Sequence, residues 1–195
     1  FTLFPYTTLF RSVEEIPESS PPHFLFLSNL IPSKGVYVLL DACRVLKEKG
    51  YDFICDFVGG ETVEITRLRM EEEIRQRGLE GYVVYHGPQY GEAKERFFRM
   101  ADFFVQPTFE DCFPLTVLEA MQHSLPVVST DEGAIPDMVI DGETGFICQR
   151  RNVDSLVNAI EKLLTNNELK KQMSRNACLR YKERYTLDAF EKTFQ

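Results

Sequence analysis

Apolar residues recur along this chain in short unbroken blocks separated by charged stretches with helical periodicity. The first block, Phe24-Leu25-Phe26-Leu27, shows no polar alternation, the pattern of a strand covered on both faces in a parallel sheet. Phe53-Ile54-Cys55-Asp56-Phe57-Val58, Tyr82-Val83-Val84-Tyr85, the run from Asp102 to Thr108, Pro126 to Thr130, and Gly145-Phe146-Ile147-Cys148 repeat it. Between the first two blocks, Val36, Leu39, Leu40, Cys43 and Leu46 fall at helical spacing and Gly50 ends them, which predicts a helix over 35–49. Further helices are predicted over 63–77, over 92–100 and along the tail from Val153. Strands alternating with helices of this length require a doubly wound parallel sheet of the α/β class. Such sheets bind ligands beyond the carboxyl ends of their strands. The loops there are 31–35, Gly59-Gly60, Gly87-Pro88 and 109–114.

Composition narrows what such a sheet could do. With 195 residues, 44% of them apolar, the chain has material for one full core. A net charge of -8 argues against a nucleic-acid partner and leaves room for a small anion held by local groups. No apolar run approaches the ~20 residues that span a bilayer, which leaves only peripheral membrane contact open. The five cysteines, Cys43, Cys55, Cys112, Cys148 and Cys178, are odd in number and lack zinc-site spacing; reduced thiols in a cytoplasmic setting are the simplest reading. His23, His86 and His123 lie on different elements and read as structural or solvated rather than as metal ligands. Residues 1–12 are out of character: Thr2 to Ser12 look like a sequencing adapter translated in one frame and are set aside. Residues 13–22, ending in Ser19-Ser20-Pro21-Pro22, read as a linker, and the domain proper is taken as 23–195.

The chemistry concentrates in Glu110-Asp111-Cys112-Phe113-Pro114-Leu115-Thr116-Val117-Leu118-Glu119. A buried strand precedes it and a helix follows, with Pro114 suited to the first helical turn. Free N–H groups at a helix start attract phosphate, and an ionised carboxylate accepts two hydroxyl donors, so Asp111 and Glu119 around this turn give the layout of an anion-binding site with sugar-sized polar partners. The amides of Cys112, Phe113, Leu115 and Thr116 remain as donors, whereas Pro114 has none. The Phe113 and Leu118 side chains read as packing groups. Lys34, a compact charge in the loop after the first strand, and Gly35, which permits close backbone approach, form a second candidate for a diphosphate. Cys112 has no paired base that would make it a nucleophile.

This motif, with Glu119-Ala120-Met121 after it and Ser33-Lys34-Gly35 before it, resembles the signature of retaining glycosyltransferases of the two-domain GT-B fold, specifically the family 4 type. The likeness runs from about Phe24 to the end. It implies a Rossmann-like C-terminal half that binds the donor, with Asp111 facing the sugar, Lys34 and Gly35 at the diphosphate, Glu119 on the ribose and Gly87 beside the base. Asn29 stands where that family commonly has Arg, Asp111 where it commonly has Glu, with Glu110 a substitute beside it, and Pro114 where it commonly has Gly. Stretches 132–137 and 141–146 resemble family segments that scaffold the site. The implied reaction moves a sugar from a nucleoside diphosphate sugar to a hydroxyl acceptor, a glycan or lipid-linked alcohol, with retention and without metal or other cofactor. The acceptor would be met through a missing N-terminal domain, the location would be cytoplasmic or at the inner membrane face, and the fragment alone would be inactive. Two alternatives bind the same ligand: a GT-B-like sugar-nucleotide epimerase and a non-catalytic nucleotide-sugar-binding module. A dinucleotide-dependent dehydrogenase is set aside for want of a Gly-x-Gly-x-x-Gly turn, and two-carboxylate glycoside hydrolysis because nothing holds either acid protonated.

Overall fold

The computed structural model describes residues 21–186 and 189, so the adapter-like leader and most of the linker lie outside the described residues. Pro22, the last linker residue, accepts a backbone hydrogen bond from Ile54 and so already belongs to the sheet.

Six strands form one parallel sheet: β1 (His23–Leu27), β2 (Ile54–Val58), β3 (Val83–Gly87), β4 (Phe103–Val105), β5 (Val127–Thr130) and β6 (Gly145–Cys148). Their spatial order is β3-β2-β1-β4-β5-β6, so the chain winds outward from β1 to one edge, returns to β4, and winds to the other. The apolar blocks explain why both faces are covered. Along β1, Phe24 and Phe26 enter one core while Leu25 and Leu27 enter the other, and on β4 Phe103 and Phe104 divide in the same way.

On the first face lie α1 (Val36–Glu48), α2 (Arg67–Gln76) and α6 (Val153–Thr165), around Leu39, Leu40, Met70 and Ile160. The second face carries α3 (Gly91–Met100), α4 (Leu115–Gln122) and α5 (Ile135–Met138), around Phe98, Val117, Met121 and Met138. The last helix, α7 (Asn167–Arg184), packs against α4 and α6. A fully buried Leu or Phe gains about 1.5–3 kcal/mol over an exposed one, and these two cores hold the sheet rigid beneath its loops.

Local differences from the sequence pattern have local causes. The helix expected from residue 63 starts only at Arg67, because Thr62 accepts from the backbone of Glu64 and Ile65 and makes a turn of its own, and Thr66 then caps the helix. The strand expected through Thr108 stops at Val105, ahead of Pro107, which has no N–H for the ladder. The turn-rich 132–137 runs into the short helix α5. The helical tail is two helices, and Asn166 ends α6 while its side chain accepts from Leu169 N–H to begin α7.

Candidate functional site

Strand order reverses between β1 and β4, and in open α/β sheets the ligand crevice lies at such a point. The loops leaving these two strands meet there. After β1 the chain passes through Asn29 into a 3-10 turn, Pro32–Lys34, and then α1. Gly35 joins turn to helix with φ of 85°, and a Cβ at that position would collide with the Pro107 carbonyl, so the Gly lets the two loops touch. Phe109 N–H and Thr108 Oγ1 both donate to the Ser33 carbonyl, at 2.9 and 3.2 Å, and tie the contact.

This seam brings Lys34 and Asp111 together. Lys34 Nζ lies 2.6 Å from Asp111 Oδ2 and donates to the Glu110 carbonyl at 3.0 Å; the two side chains are 20% and 15% exposed. A lysine at the entrance to a helix is unfavourable against the helix dipole, and a carboxylate on the next loop offsets it. The pair stands at the mouth of the crevice with its second carboxylate oxygen, Oδ1, pairing with nothing among the described residues. Asn29 Oδ1 accepts from Gly60 N–H at 3.2 Å, which joins the β1 and β2 loops and leaves the Asn29 Nδ2 hydrogens for another acceptor.

The motif loop is held from the far side as well. Gly133, at φ of 52°, sits where a Cβ would strike the carbonyls of Asp111 and Cys112, and Ala134 N–H donates to Cys112 O at 3.0 Å. The Arg151 guanidinium covers the Phe109 ring at 4.2 Å, adding a cation to this end of the sheet.

Pro114 proves to be the residue before α4 rather than one of its first turn. Its carbonyl takes the Val117 N–H at 3.1 Å, while the amides of Leu115 and Thr116 begin a helix and so lack intrahelical acceptors. The Thr116 hydroxyl turns inward to Gln106 Oε1 at 2.7 Å, so its amide is the group it can offer a ligand. Phe113 corrects the expectation that it packs: it is exposed, as are Cys112 and Leu115, whereas Leu118 does pack on the second core. Gly87 closes β3 with the Arg67 guanidinium against it, and that guanidinium also lies over the Tyr85 ring at 4.6 Å.

Glu119, one turn into α4, has a partner that motif reading passed over. Lys94 of α3 places Nζ 2.7 Å from Glu119 Oε1. The only signal in the sequence is that Lys94 precedes the buried Phe98 by four residues, which puts both on the inward side of α3.

Each of the three histidines has a carboxylate partner within the fold. His23 and His86 each hydrogen-bond Asp56, at 2.8 and 2.7 Å, across three neighbouring strands. Burial pushes the Asp56 carboxyl up, but the hydrogen bonds from His23 and His86 outweigh it and hold Asp56 below the usual carboxylate range. The same hydrogen bond raises His23 against the opposing effect of its burial. His123 is lowered, chiefly by burial, although Glu95 lies beside it. All five cysteines are free thiols, and burial pushes Cys148 up to about 11. Among the described residues no group of His, Cys, Asp or Glu is arranged to hold a metal ion, and no helix is long and apolar enough to cross a membrane.

A sheet of this order, with two loops joined at its switch point, is a Rossmann-like, doubly wound fold. The chain belongs to the glycosyl transferases group 1 family, whose model matches residues 10–180. A D-inositol 3-phosphate glycosyltransferase of Paenarthrobacter aurescens is 27% identical over 156 residues, 80% of this chain and 38% of that protein. The chain thus spans well under half the length of the curated relatives it matches. Its fold is that of the C-terminal half of a GT-B glycosyltransferase. The C-terminal domain of a group 1 glycosyl transferase, LpcC of Francisella tularensis, superimposes with a TM-score of 0.77 at 20% identity, covering 85% of this chain and 87% of that one. Anabaena Alr3699/HepE, solved in complex with UDP and glucose, gives 0.78 at 20% identity over 88% of this chain and 46% of that one.

Proposed function

We propose that the chain is the donor-binding half of a retaining glycosyltransferase of the family 4 type, transferring a sugar from a nucleoside diphosphate sugar to a hydroxyl of a glycan or lipid-linked acceptor. The observation that carries this is the Lys34–Asp111 ion pair spanning the β1 and β4 loops at the switch point of the sheet. A solved relative that binds UDP and glucose with the same fold supports the choice of donor class.

In this reading the diphosphate takes the place of part of the Asp111 carboxylate on Lys34 and meets the amides of Leu115 and Thr116 at the start of α4. These groups stabilise negative charge as the bond from anomeric carbon to diphosphate breaks. Asn29 Nδ2 adds a neutral donor where a cation is more usual. Asp111, released on one side, accepts sugar hydroxyls, and Glu119 accepts those of the ribose. The exposed Phe113 and Cys112 border the sugar, and Gly87 borders the base. The acceptor hydroxyl passes its proton to the departing diphosphate as its oxygen bonds to the anomeric carbon on the face the diphosphate leaves, so the configuration there is retained. Acceptor binding falls to a second domain. A cytoplasmic setting, at the inner membrane face for a lipid-linked acceptor, agrees with five free thiols.

Donor binding is tested by the melting temperature of the chain with nucleoside diphosphate sugars present. A rise that is lost in Lys34→Ala and in Glu119→Ala is expected; a rise unchanged in both overturns the site.

A further inference from the structure

The contact between α3 and α4 is built as two rungs. In the outer rung Lys94 Nζ meets Glu119 Oε1 at 2.7 Å, with side chains 25% and 35% exposed. One turn further along each helix, Phe98 stacks on His123 with centroids 4.9 Å apart and planes 3° from parallel. His123 Nε2 also lies 2.8 Å from Glu95 Oε2. Lys94 and Phe98, like Glu119 and His123, are four residues apart, so the two rungs are spaced by about one helical turn on each side. Exposed ion pairs usually gain little, because two long side chains must be ordered to form them. Here the buried Phe98–His123 rung already holds the two segments together one turn away, which lessens the ordering left to Lys94 and Glu119.

The rung takes one Glu119 oxygen and leaves the other. Oε1 is committed to Lys94, and Oε2 has no partner among the described residues. Resting on the assignment of Glu119 to the ribose, we infer that Lys94 is a positioning residue for nucleotide recognition. It holds the Glu119 carboxylate in one orientation so that Oε2 meets the ribose 2′-hydroxyl without a search among rotamers. Lys94 itself touches no part of the nucleotide. Its effect is therefore confined to ligands that carry the hydroxyl Glu119 reads. A residue that merely glued α3 to α4 would weaken every ligand alike.

The experiment is titration calorimetry of the 195-residue chain with UDP, GDP and ADP and with their 2′-deoxy counterparts. For the base that binds, Lys94→Met lowers affinity for the ribonucleotide about tenfold, the worth of one hydrogen bond to a charged group, and leaves the deoxynucleotide nearly unchanged. Glu119→Gln gives the same collapse of the ribose preference, the double variant adds little to either, and Lys94→Arg keeps the preference. Equal losses for both ligand series in Lys94→Met, or a preference intact there while Glu119→Gln removes it, would overturn the inference and leave the donor site standing. No ribose preference in the parent chain, or one that survives Glu119→Gln, overturns the ribose assignment and this inference with it.

Discussion

Two lysine–aspartate pairs sit at opposite ends of β4 and show what separates a saturated charge pair from one open to a ligand. At the amino end, Lys170 Nζ lies 2.8 Å from Asp102 Oδ1, with side chains only 8% and 1% exposed, and the other oxygen, Oδ2, accepts His23 N–H at 2.8 Å. Both oxygens are used, and water is shut out. At the carboxyl end, Lys34 and Asp111 lie 2.6 Å apart but at the mouth of a crevice, with one carboxylate oxygen to spare. Charge pairing is common to both; saturation is not. A pair that is buried and saturated fixes the strands, whereas one that is accessible and unsaturated can exchange a partner for a ligand.

The contrast breaks most sharply at Asp102. Asp102→Ala strands the Lys170 ammonium in the interior, and the expected loss of about 3–5 kcal/mol is read from urea unfolding. Gly35→Ala forces a side chain into a left-handed conformation against the Pro107 carbonyl and should cost about 2–3 kcal/mol, together with any response to nucleotide sugars, since it parts the loops that make the mouth.

His23→Gln tests the amino end by pH. The raised His23 contributes stability that is fully present below its ordinary value of 6.5 and is lost as pH rises through the raised one. Asp56 contributes above its ordinary 3.8, and its share is lost as pH falls through its lowered value. The gap between parent and variant, about 1 kcal/mol from one charged hydrogen bond, is therefore widest from 3.8 to 6.5 and closes on the alkaline side. Unfolding curves measured across that range check it. At the carboxyl end, Lys34→Met should shift stability by less than about 1 kcal/mol yet remove the thermal response to nucleoside diphosphate sugars. The smallest effect belongs to Phe113→Ser, within about 0.5 kcal/mol of the parent in the same unfolding assay, because that ring is exposed and packs no core.

Much of this was legible from the residues in order. The apolar blocks marked all six strands because a parallel strand covered on both faces admits little else, and the Gly and Pro turns marked the ligand end. Asp111, Lys34 and Glu119 were each legible as site candidates because helix starts and strand ends fix where such groups project. Partner choice was not legible. Asp111 and Lys34 are 77 residues apart and Lys94 and Glu119 are 25 apart, and periodicity has no reach over such distances. The Phe113 ring was misread because residue type favours burial, whereas the turn at Pro114 decides exposure.

The sequence by itself determined the alternation of strands and helices, the position of the glycine-dependent turns and the chemical groups offered at the carboxyl end, since these follow from local sterics and from a hydrophobic period. Only the tertiary structure decided which cation faces which carboxylate and how many oxygens remain for a ligand. Those outcomes depend on the order of strands in the sheet and on the packing of α3 against α4, and packing is a property of elements brought together, not of any one of them.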